Sequence, residues 1–537
     1  MNCNIAQALL GVAAHRGGET ALIHGRRSWT FSDLAETSAR YAQALARQGI
    51  GPGSRVMLMV PPGRDFVCLT FALFRLGAPV ILIDPGMGFA NLRRCIGGVR
   101  PEFFIGIPKA QIFRLLSPRP FRTVKKSIWV TPNAWGGGLM ALVTSVVPGD
   151  APMFQAAAGD LAAIIFTTGS TGPPKGVQYS HGIFQAQLEL IRDYYQIGPG
   201  DIDQPAFPLF ALFAAALGAK AVIPAMDPAR PAQVQPARFI KTIISEQVTY
   251  SFGSPAIWNV VSRYCLDNNI RLPVKKILMA GAPVPGELIE RVQKIMANGG
   301  EIFTPYGATE SLPIVSMEGR EIVEKTWPET RKGRGTCVGR PLPGITIKII
   351  APVAGAIAHM DQVQELPAGE IGEIIVSGPV VTRAYDHNDY ENSLAKIRDG
   401  EVVWHRMGDM GYLDESDSRR LWFCGRKAHR VITENGPMYT ICCEAIFNEH
   451  PLVSRSALVG VGPSGRQRPV IIVECEPGGR SQSLEAELKA LAQGNELTKG
   501  ISLFLVHTGF PVDIRHNAKI FREKLAVWGA EKLGEDK

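Results

Sequence analysis

Residues 161–176 read LAAIIFTTGSTGPPKG. An apolar run of strand type, 162–166, passes directly into a loop of hydroxyls and glycines that closes on Pro173, Pro174, Lys175 and Gly176. Glycines at 169, 172 and 176 let the backbone turn its N–H groups towards one point. The hydroxyls of Thr167, Thr168, Ser170 and Thr171 add donors, and Lys175 supplies a movable positive charge. Together they suit a polyphosphate. The loop is not a Walker A motif, because Pro174 stands where that motif requires glycine and Gly176 where it requires Ser or Thr. A solvated linker seldom ends in Pro-Pro-Lys-Gly after a buried strand.

Upstream, strand-like residues 20–24 precede a helix opened by Ser32, whose hydroxyl can accept from a free first-turn N–H. Leu34, Tyr41 and Leu45 fall on one face of that helix with the small Ser38 between them. Strands at 55–60, 79–83 and 103–107 then alternate with helices at 66–76 and 90–97. This order predicts a mainly parallel sheet covered by helices. Residues 115–157, rich in Gly and Pro, read as a surface connection with short elements in it. Downstream of the loop come a helix at 183–194 and strands at 221–223, 276–279 and 301–304. After Gly335 the pattern turns to short strands and Gly/Pro turns, as at 344–350 and 372–376. A boundary falls near Gly425, because strands at 457–461, 470–476 and 503–507 and a helix at 484–493 have their own compact order. The fold class is therefore α/β. A large N-terminal α/β domain with parallel-rich sheets, 1–424, is followed by a small α+β domain, 425–537.

The chain has 537 residues, 46% hydrophobic and 20% charged, which excludes disordered, fibrous and collagenous classes. The net charge is +8, but its basic residues are scattered along the sequence. Without a basic stripe interleaved with aromatics, no nucleic-acid partner is expected, whereas anionic substrates or a membrane surface remain compatible. Nine cysteines without paired spacing fit a reducing, cytoplasmic location. The N-terminus lacks the basic region of a signal peptide. The apolar run 205–219 stops at Lys220, short of the ~20 residues a spanning helix needs, so a buried core segment is expected and no membrane span. A match to G-x-G-x-x-G at 460–465 is followed by another strand instead of a helix, so it is a turn. Neither a G-x-S-x-G elbow nor H-E-x-x-H occurs.

The loop 167–176 resembles the signature of the adenylate-forming superfamily of acyl-CoA synthetases, luciferases and nonribosomal adenylation domains. Further pieces follow in the superfamily's order: Gly281, Ala282 and Pro283; Tyr306, Gly307, Ala308, Thr309 and Glu310; Arg406, Met407, Gly408 and Asp409; Gly425, Arg426 and Lys427; and Asn517, Ala518, Lys519 and Ile520. The resemblance implies that the C-terminal domain is a mobile lid, that the active site lies in the cleft, and that ATP and Mg²⁺ are the cofactors. Tyr306 then offers an aromatic face to adenine, Gly307 a close backbone, Thr309 a hydroxyl to phosphate, and Glu310 an oxygen ligand to Mg²⁺, with Thr167 as a second metal contact. Asp409 accepts from both ribose hydroxyls, a task needing two acceptor oxygens, and Arg426 lies beside the ribose or the phosphates. Lys519 and Lys175 stabilise charge that spreads over the oxygens in the transition state.

Whole stretches resemble more closely the β-lactone synthetases of bacterial long-chain olefin biosynthesis, among them residues 252–256, 404–409, 421–427 and 511–525. That resemblance implies activation of a long-chain 2-alkyl-3-hydroxy acid as its acyl adenylate. Its own 3-hydroxyl then attacks, with other enzymes of the olefin pathway as partners. Departures from the acyl-CoA ligase pattern speak against thioester formation: Ala211 replaces a histidine, and Pro437, which lacks an N–H, occupies the Asn435-Gly436-Pro437 turn. Ala428 and Ala518 depart from the superfamily's usual hinge residue and glycine. His181 and His405 are the candidates for the base that takes the hydroxyl proton, although a histidine after the phosphate loop also serves structural roles. A fatty acyl-CoA or acyl-AMP ligase and a catalytically silent scaffold remain the alternatives.

Overall fold

A computed structural model of the chain describes residues 2–131, 138–146, 151–167, 172–207, 209–416, 419–479, 481–512 and 519–534. The alternation at the N-terminus builds a six-stranded sheet in the order Lys126–Trp129, Phe103–Gly106, Val56–Met59, Val80–Leu82, Leu161–Phe166, Gly176–Ser180. All its pairs are parallel except the last. The strand Thr20–His24 goes elsewhere. It pairs in parallel with Lys220–Ile223 in a second, seven-stranded sheet, about two hundred residues on, a register that local sequence does not carry.

The helices Phe31–Arg47 and Arg64–Leu76 pack on these sheets. Leu34, Tyr41 and Leu45 are all buried, as their spacing predicts. The cap differs from the expectation at Ser32. Thr30 occupies the cap position, its hydroxyl accepting from the Asp33 N–H at 3.1 Å while the Asp33 carboxylate accepts from the Thr30 N–H at 2.8 Å. Asp33 decides this, since only a start at Phe31 puts an acceptor three places past the cap. The apolar run 205–219 contains the helix Phe210–Leu217, with Ala211, Ala214, Ala215 and Ala216 buried. No helix among the described residues is long and apolar enough to cross a membrane.

A third sheet, antiparallel throughout and eight-stranded, holds the short strands past residue 305. Its order runs Tyr306–Ala308, Ser311–Ser316, Thr336–Pro341, Leu421–Arg426, Val402–Leu413, Gly372–Ser377, Thr346–Ile350, with Lys396–Asp399 paired beside Val402–Leu413. The chain leaves this sheet at Arg426 and turns through Lys427–His429. The C-terminal residues then form the hairpin Val431–Thr433/Gly436–Met438 and a sheet of Val453–Val461, Arg468–Cys475 and Leu503–His507. Gly460 to Gly465 connect two antiparallel strands there, which agrees with the turn reading. At the exit, Lys427 donates to Glu373 at 2.8 Å and to the Val353 carbonyl, and Arg406 forks onto the same carboxylate at 3.1 and 2.7 Å. Glu373 and Arg406 are both buried, so this ion triad fixes the first residues past the sheet to the body.

Candidate active site

The strand Leu161–Phe166 delivers Thr167 to the carboxyl edge of the first sheet, and the chain returns at Lys175 into Gly176–Ser180. Thr167 N–H donates to the Lys175 carbonyl at 2.9 Å and Lys175 N–H to the Thr167 hydroxyl at 3.0 Å, so the two ends of the loop are clasped. Thr168, Gly169, Ser170 and Thr171 lie outside the described residues, while Gly172 is exposed on the return limb.

Lys175 Nζ pairs with Glu391 at 2.5 Å and sits 5.1 Å above the ring of Tyr385. Asn392 holds the Tyr385 backbone on both sides, accepting from its N–H at 2.6 Å and donating to its carbonyl at 3.2 Å. Thus fixed, Tyr385 donates its hydroxyl to Glu310 Oε1 at 2.6 Å. The Glu310 carbonyl is held as well, accepting from both the N–H and the hydroxyl of Thr382 at 2.9 Å. Behind Thr382 stands Lys396, buried, which donates to the Thr382 carbonyl at 2.5 Å and hydroxyl at 3.2 Å. Burial pushes the Lys396 ammonium down to about 7, with the Glu310 charge acting against the shift. Its cross-strand neighbour His405 points Nδ1 at the Ala395 carbonyl, 3.2 Å away. Burial and the Lys396 charge keep that imidazole well below its ordinary pKa, hence neutral.

Tyr306 and Asp409 meet across the third sheet. The Tyr306 hydroxyl donates to Asp409 Oδ2 at 2.5 Å, and Arg426, directly opposite Asp409 in the ladder, brings Nη1 within 2.9 Å of Oδ1. That approach is an ion pair out of line for a hydrogen bond, since Oδ1 has no hydrogen-bond partner although it is buried. A buried acceptor left open in this way suits a ligand hydroxyl. Burial raises the Asp409 pKa, and Arg426, Tyr306 and Lys519 oppose the rise. Gly307 is required by close approach: a Cβ there would stand 2.4 Å from the Ser311 carbonyl oxygen. Ala308 completes that strand, and the Thr309 carbonyl beyond it accepts from Tyr179 at 2.5 Å.

Gly281, Ala282 and Pro283 form the turn after Lys276–Met279, with Gly281 at φ 99° in the region that favours glycine. Lys519 follows residues 513–518, which lie outside the described residues, and its charge is felt at Asp409. Ile520 bridges to Val512, and the next helix starts with Arg522 forked onto the buried Glu444 at 2.8 and 2.5 Å, which ties this segment to the C-terminal sheet. Lys175, Tyr306, Glu310, Asp409, Arg426 and Lys519 thus share one electrostatic site.

His181 stands apart from that group. Five strand residues separate it from Lys175, roughly 16 Å of extended chain. It opens the helix His181–Tyr195 inside the core, accepts from the Ile5 N–H at 3.2 Å and lies edge-on to Phe74. Burial pushes its pKa down to about 4, and its Nε2 has no hydrogen-bond partner. Sequence reasoning missed Tyr385, Thr382 and Glu391, which contact Glu310 or Lys175 from beyond the nearest motif, and Lys396, which backs Thr382. Ala211 is buried in the helix whose Phe210 stacks on Phe252 at 3.7 Å.

Among the described residues no three His, Cys, Asp or Glu side chains converge as a protein-only metal site. A lone carboxylate, Glu310, fits Mg²⁺, which is commonly held by one or two carboxylates together with substrate phosphates and water.

The family model described as AMP-binding enzyme matches residues 11–386. Two curated proteins described as olefin β-lactone synthetase, from Xanthomonas campestris pv. campestris and Stenotrophomonas maltophilia, are each 43% identical to the chain. The alignments span 99% of this chain and 98% and 99% of those proteins. Among solved structures, the amide bond synthetase McbA from Marinactinospora thermotolerans superposes with a TM-score of 0.79 at 22% identity, covering 98% of this chain and 99% of that one. The o-succinylbenzoate CoA synthetase of Bacillus subtilis, in complex with its acyl adenylate, gives 0.75 at 21% identity, with 96% and 97% covered. These two likenesses concern the fold.

Proposed function

The chain belongs to the AMP-binding enzyme family, in the company of the olefin β-lactone synthetases, and from that premise we propose that it converts a long-chain 2-alkyl-3-hydroxy acid to a β-lactone. The 43% identity to the olefin β-lactone synthetases carries the choice of product, and adenylation is supported by the joint presence of the open Asp409 acceptor, the braced Glu310 carboxylate and two lysines, Lys175 and Lys519. In the first step a carboxylate oxygen of the acid attacks the α-phosphorus of ATP, the bond to pyrophosphate breaks, and an acyl adenylate results. Asp409 orients the ribose, Tyr306 lies beside the base, and Lys175 leaves Glu391 for the phosphates. Lys519 lies where charge gathers on the α-phosphate and carboxylate oxygens, so its contribution is greatest in the transition state. Glu310 and the Thr167 hydroxyl would hold Mg²⁺, which would supply charge neutralisation on the phosphates. The loop 167–176 and the turn 281–283 line the nucleotide.

In the second step the 3-hydroxyl oxygen attacks the activated carbonyl carbon, the bond to AMP breaks, and the hydroxyl proton is released. The nucleophile is already tethered a few atoms from the carbonyl, so no second substrate has to be ordered. Ala211 in place of an imidazole and Pro437 in the lid hairpin support this outlet over thiol transfer. His181 acts structurally in this reading, as its buried ring and core contacts suggest. ATP dependence suits a cytoplasmic enzyme, and the strained lactone calls for a partner enzyme that consumes it.

One observation favours a second reading, transfer to a pantetheine thiol. A cavity of about 1100 Å³ opens between the third sheet and the C-terminal unit, lined by Arg334, Tyr412, Asn435, Pro437 and Arg468 among others. Mass spectrometry of the products decides between them. A 2-alkyl-3-hydroxy acid with ATP yields AMP and a product one water lighter than the acid, at a rate indifferent to CoA. A CoA thioester as main product, or equal turnover of the acid lacking the 3-hydroxyl, would sink the lactone reading.

A further inference from the structure

The basic residues are less scattered than the chain as a whole implies: one stretch of the sequence, on one layer of the first sheet, concentrates them. Between residues 85 and 126 the chain carries nine Lys and Arg against a single acidic residue, Glu102, a net charge of +8. The whole chain is also +8, so the rest sums to neutrality. Arg93, Arg94, Arg100, Lys109, Arg119 and Arg122 are exposed there. Amid these charges lie four exposed apolar side chains: Phe89 at 68%, Ile112 at 53%, Leu115 at 59% and Leu116 at 79%.

These exposures are built, since the elements that carry them are firmly anchored. The helix Pro108–Leu116 is fastened by Gln111, fully buried, which donates to the Ile128 carbonyl at 2.9 Å and accepts from Ser127 at 2.6 Å. With Gln111 turned inward, Lys109, Ile112, Leu115 and Leu116 fall at spacings of three and four along the outer face. Phe89, at the start of the helix Phe89–Val99, stacks on Phe113 at 5.8 Å, and Phe113 leans on Phe121 over the core. A rigid aliphatic stripe with an aromatic ring, flanked by one sign of charge, is the composition of a face that lies in a headgroup layer.

We propose that this face docks the protein on an anionic lipid bilayer. A protein partner would need an acidic surface with a matching apolar ridge, whereas an anionic bilayer supplies both everywhere. Both helices start at the carboxyl edge of the parallel strands Val80–Leu82 and Phe103–Gly106, the edge from which the phosphate loop also departs after Leu161–Phe166. Docking there borders the site that takes a lipid-like acid. The inference goes beyond the proposed activity and does not rest on it.

Sedimentation of the full chain with vesicles tests it. Vesicles of phosphatidylcholine with about a third phosphatidylglycerol carry the protein down, pure phosphatidylcholine does so weakly, and added salt releases it. The triple substitution Ile112→Ser, Leu115→Ser, Leu116→Ser and the pair Arg93→Glu, Arg94→Glu each lower partitioning at least about tenfold, with release of pyrophosphate from ATP in the presence of a short, water-soluble acid unchanged. Equal sedimentation of wild type and both variants, or no preference for the anionic vesicles, overturns the proposal. So does a wild-type oligomer that the triple substitution dissociates without any effect on vesicle binding, which would assign the face to a protein contact.

Discussion

Replacing Tyr385 by phenylalanine removes one atom from the site and leaves the rest in place. Asn392 still grips the backbone of residue 385, and the ring still lies 5.1 Å from Lys175 Nζ and 5.8 Å from Lys396 Nζ. What disappears is a 2.6 Å hydrogen bond to a carboxylate. Bonds to charged acceptors contribute about 1.5–3 kcal/mol, so if the braced Glu310 is needed in the transition state, kcat/KM falls by about 10- to 150-fold. Acid-dependent pyrophosphate release measures the loss, and a thermal melt within a degree or so of wild type shows that the fold is intact. The effect passes through Glu310, so Tyr385→Phe adds little in a Glu310→Gln background. A twofold loss or less, or full additivity in the double variant, would refute the reasoning.

Lys519→Ala abolishes adenylate formation while equilibrium binding of ATP survives, because the residue acts chiefly in the transition state; pyrophosphate release within about twofold of wild type would count against it. Asp409→Ala instead weakens nucleotide binding, read by calorimetry, since the ribose hydroxyls lose their acceptor oxygens. Lys396 titrates near 7 when folded and near about 10 when unfolded, so between those values the unfolded chain holds the extra proton and stability rises with pH. Lys396→Met removes that rise, and an unchanged slope in denaturant titrations at pH 7 and pH 9.5 would show that the lysine is not the source. Gly307→Ala costs roughly 1–3 kcal/mol of stability or splays the hairpin, because the methyl meets backbone that cannot swing aside; an unchanged melt contradicts the close approach.

Much of this architecture is legible in the sequence because it is local. The strand before the phosphate loop, the buried face of the helix holding Leu34, Tyr41 and Leu45, and the G-x-G-x-x-G turn follow from periodicity and turn chemistry within a dozen residues. The start of that helix was misread by two places because Ser32 and Thr30 are equally good caps in isolation, and only the reciprocal bond of Asp33 separates them. The brace around Glu310 leaves no such mark. Tyr385 lies 75 positions away in sequence, and Lys396 reads as a surface lysine until cross-strand pairing buries it beside His405. Long-range register brings them together, and register is what a single sequence expresses least.

Asp409 and Arg426 face one another in a single β-ladder, so no displacement short of unzipping that sheet can part them. Lys519 acts on the same carboxylate through its field, from a segment that the Arg522–Glu444 fork ties to the C-terminal sheet. The site therefore pairs a neutral dipole fixed within one sheet with a single charge carried by another part of the chain. Were the C-terminal unit to move as the proposed lid, the site would gain or lose one elementary charge while the Asp409–Arg426 pair stayed as it is. A nucleotide would feel the stroke as a voltage step on its phosphates alone.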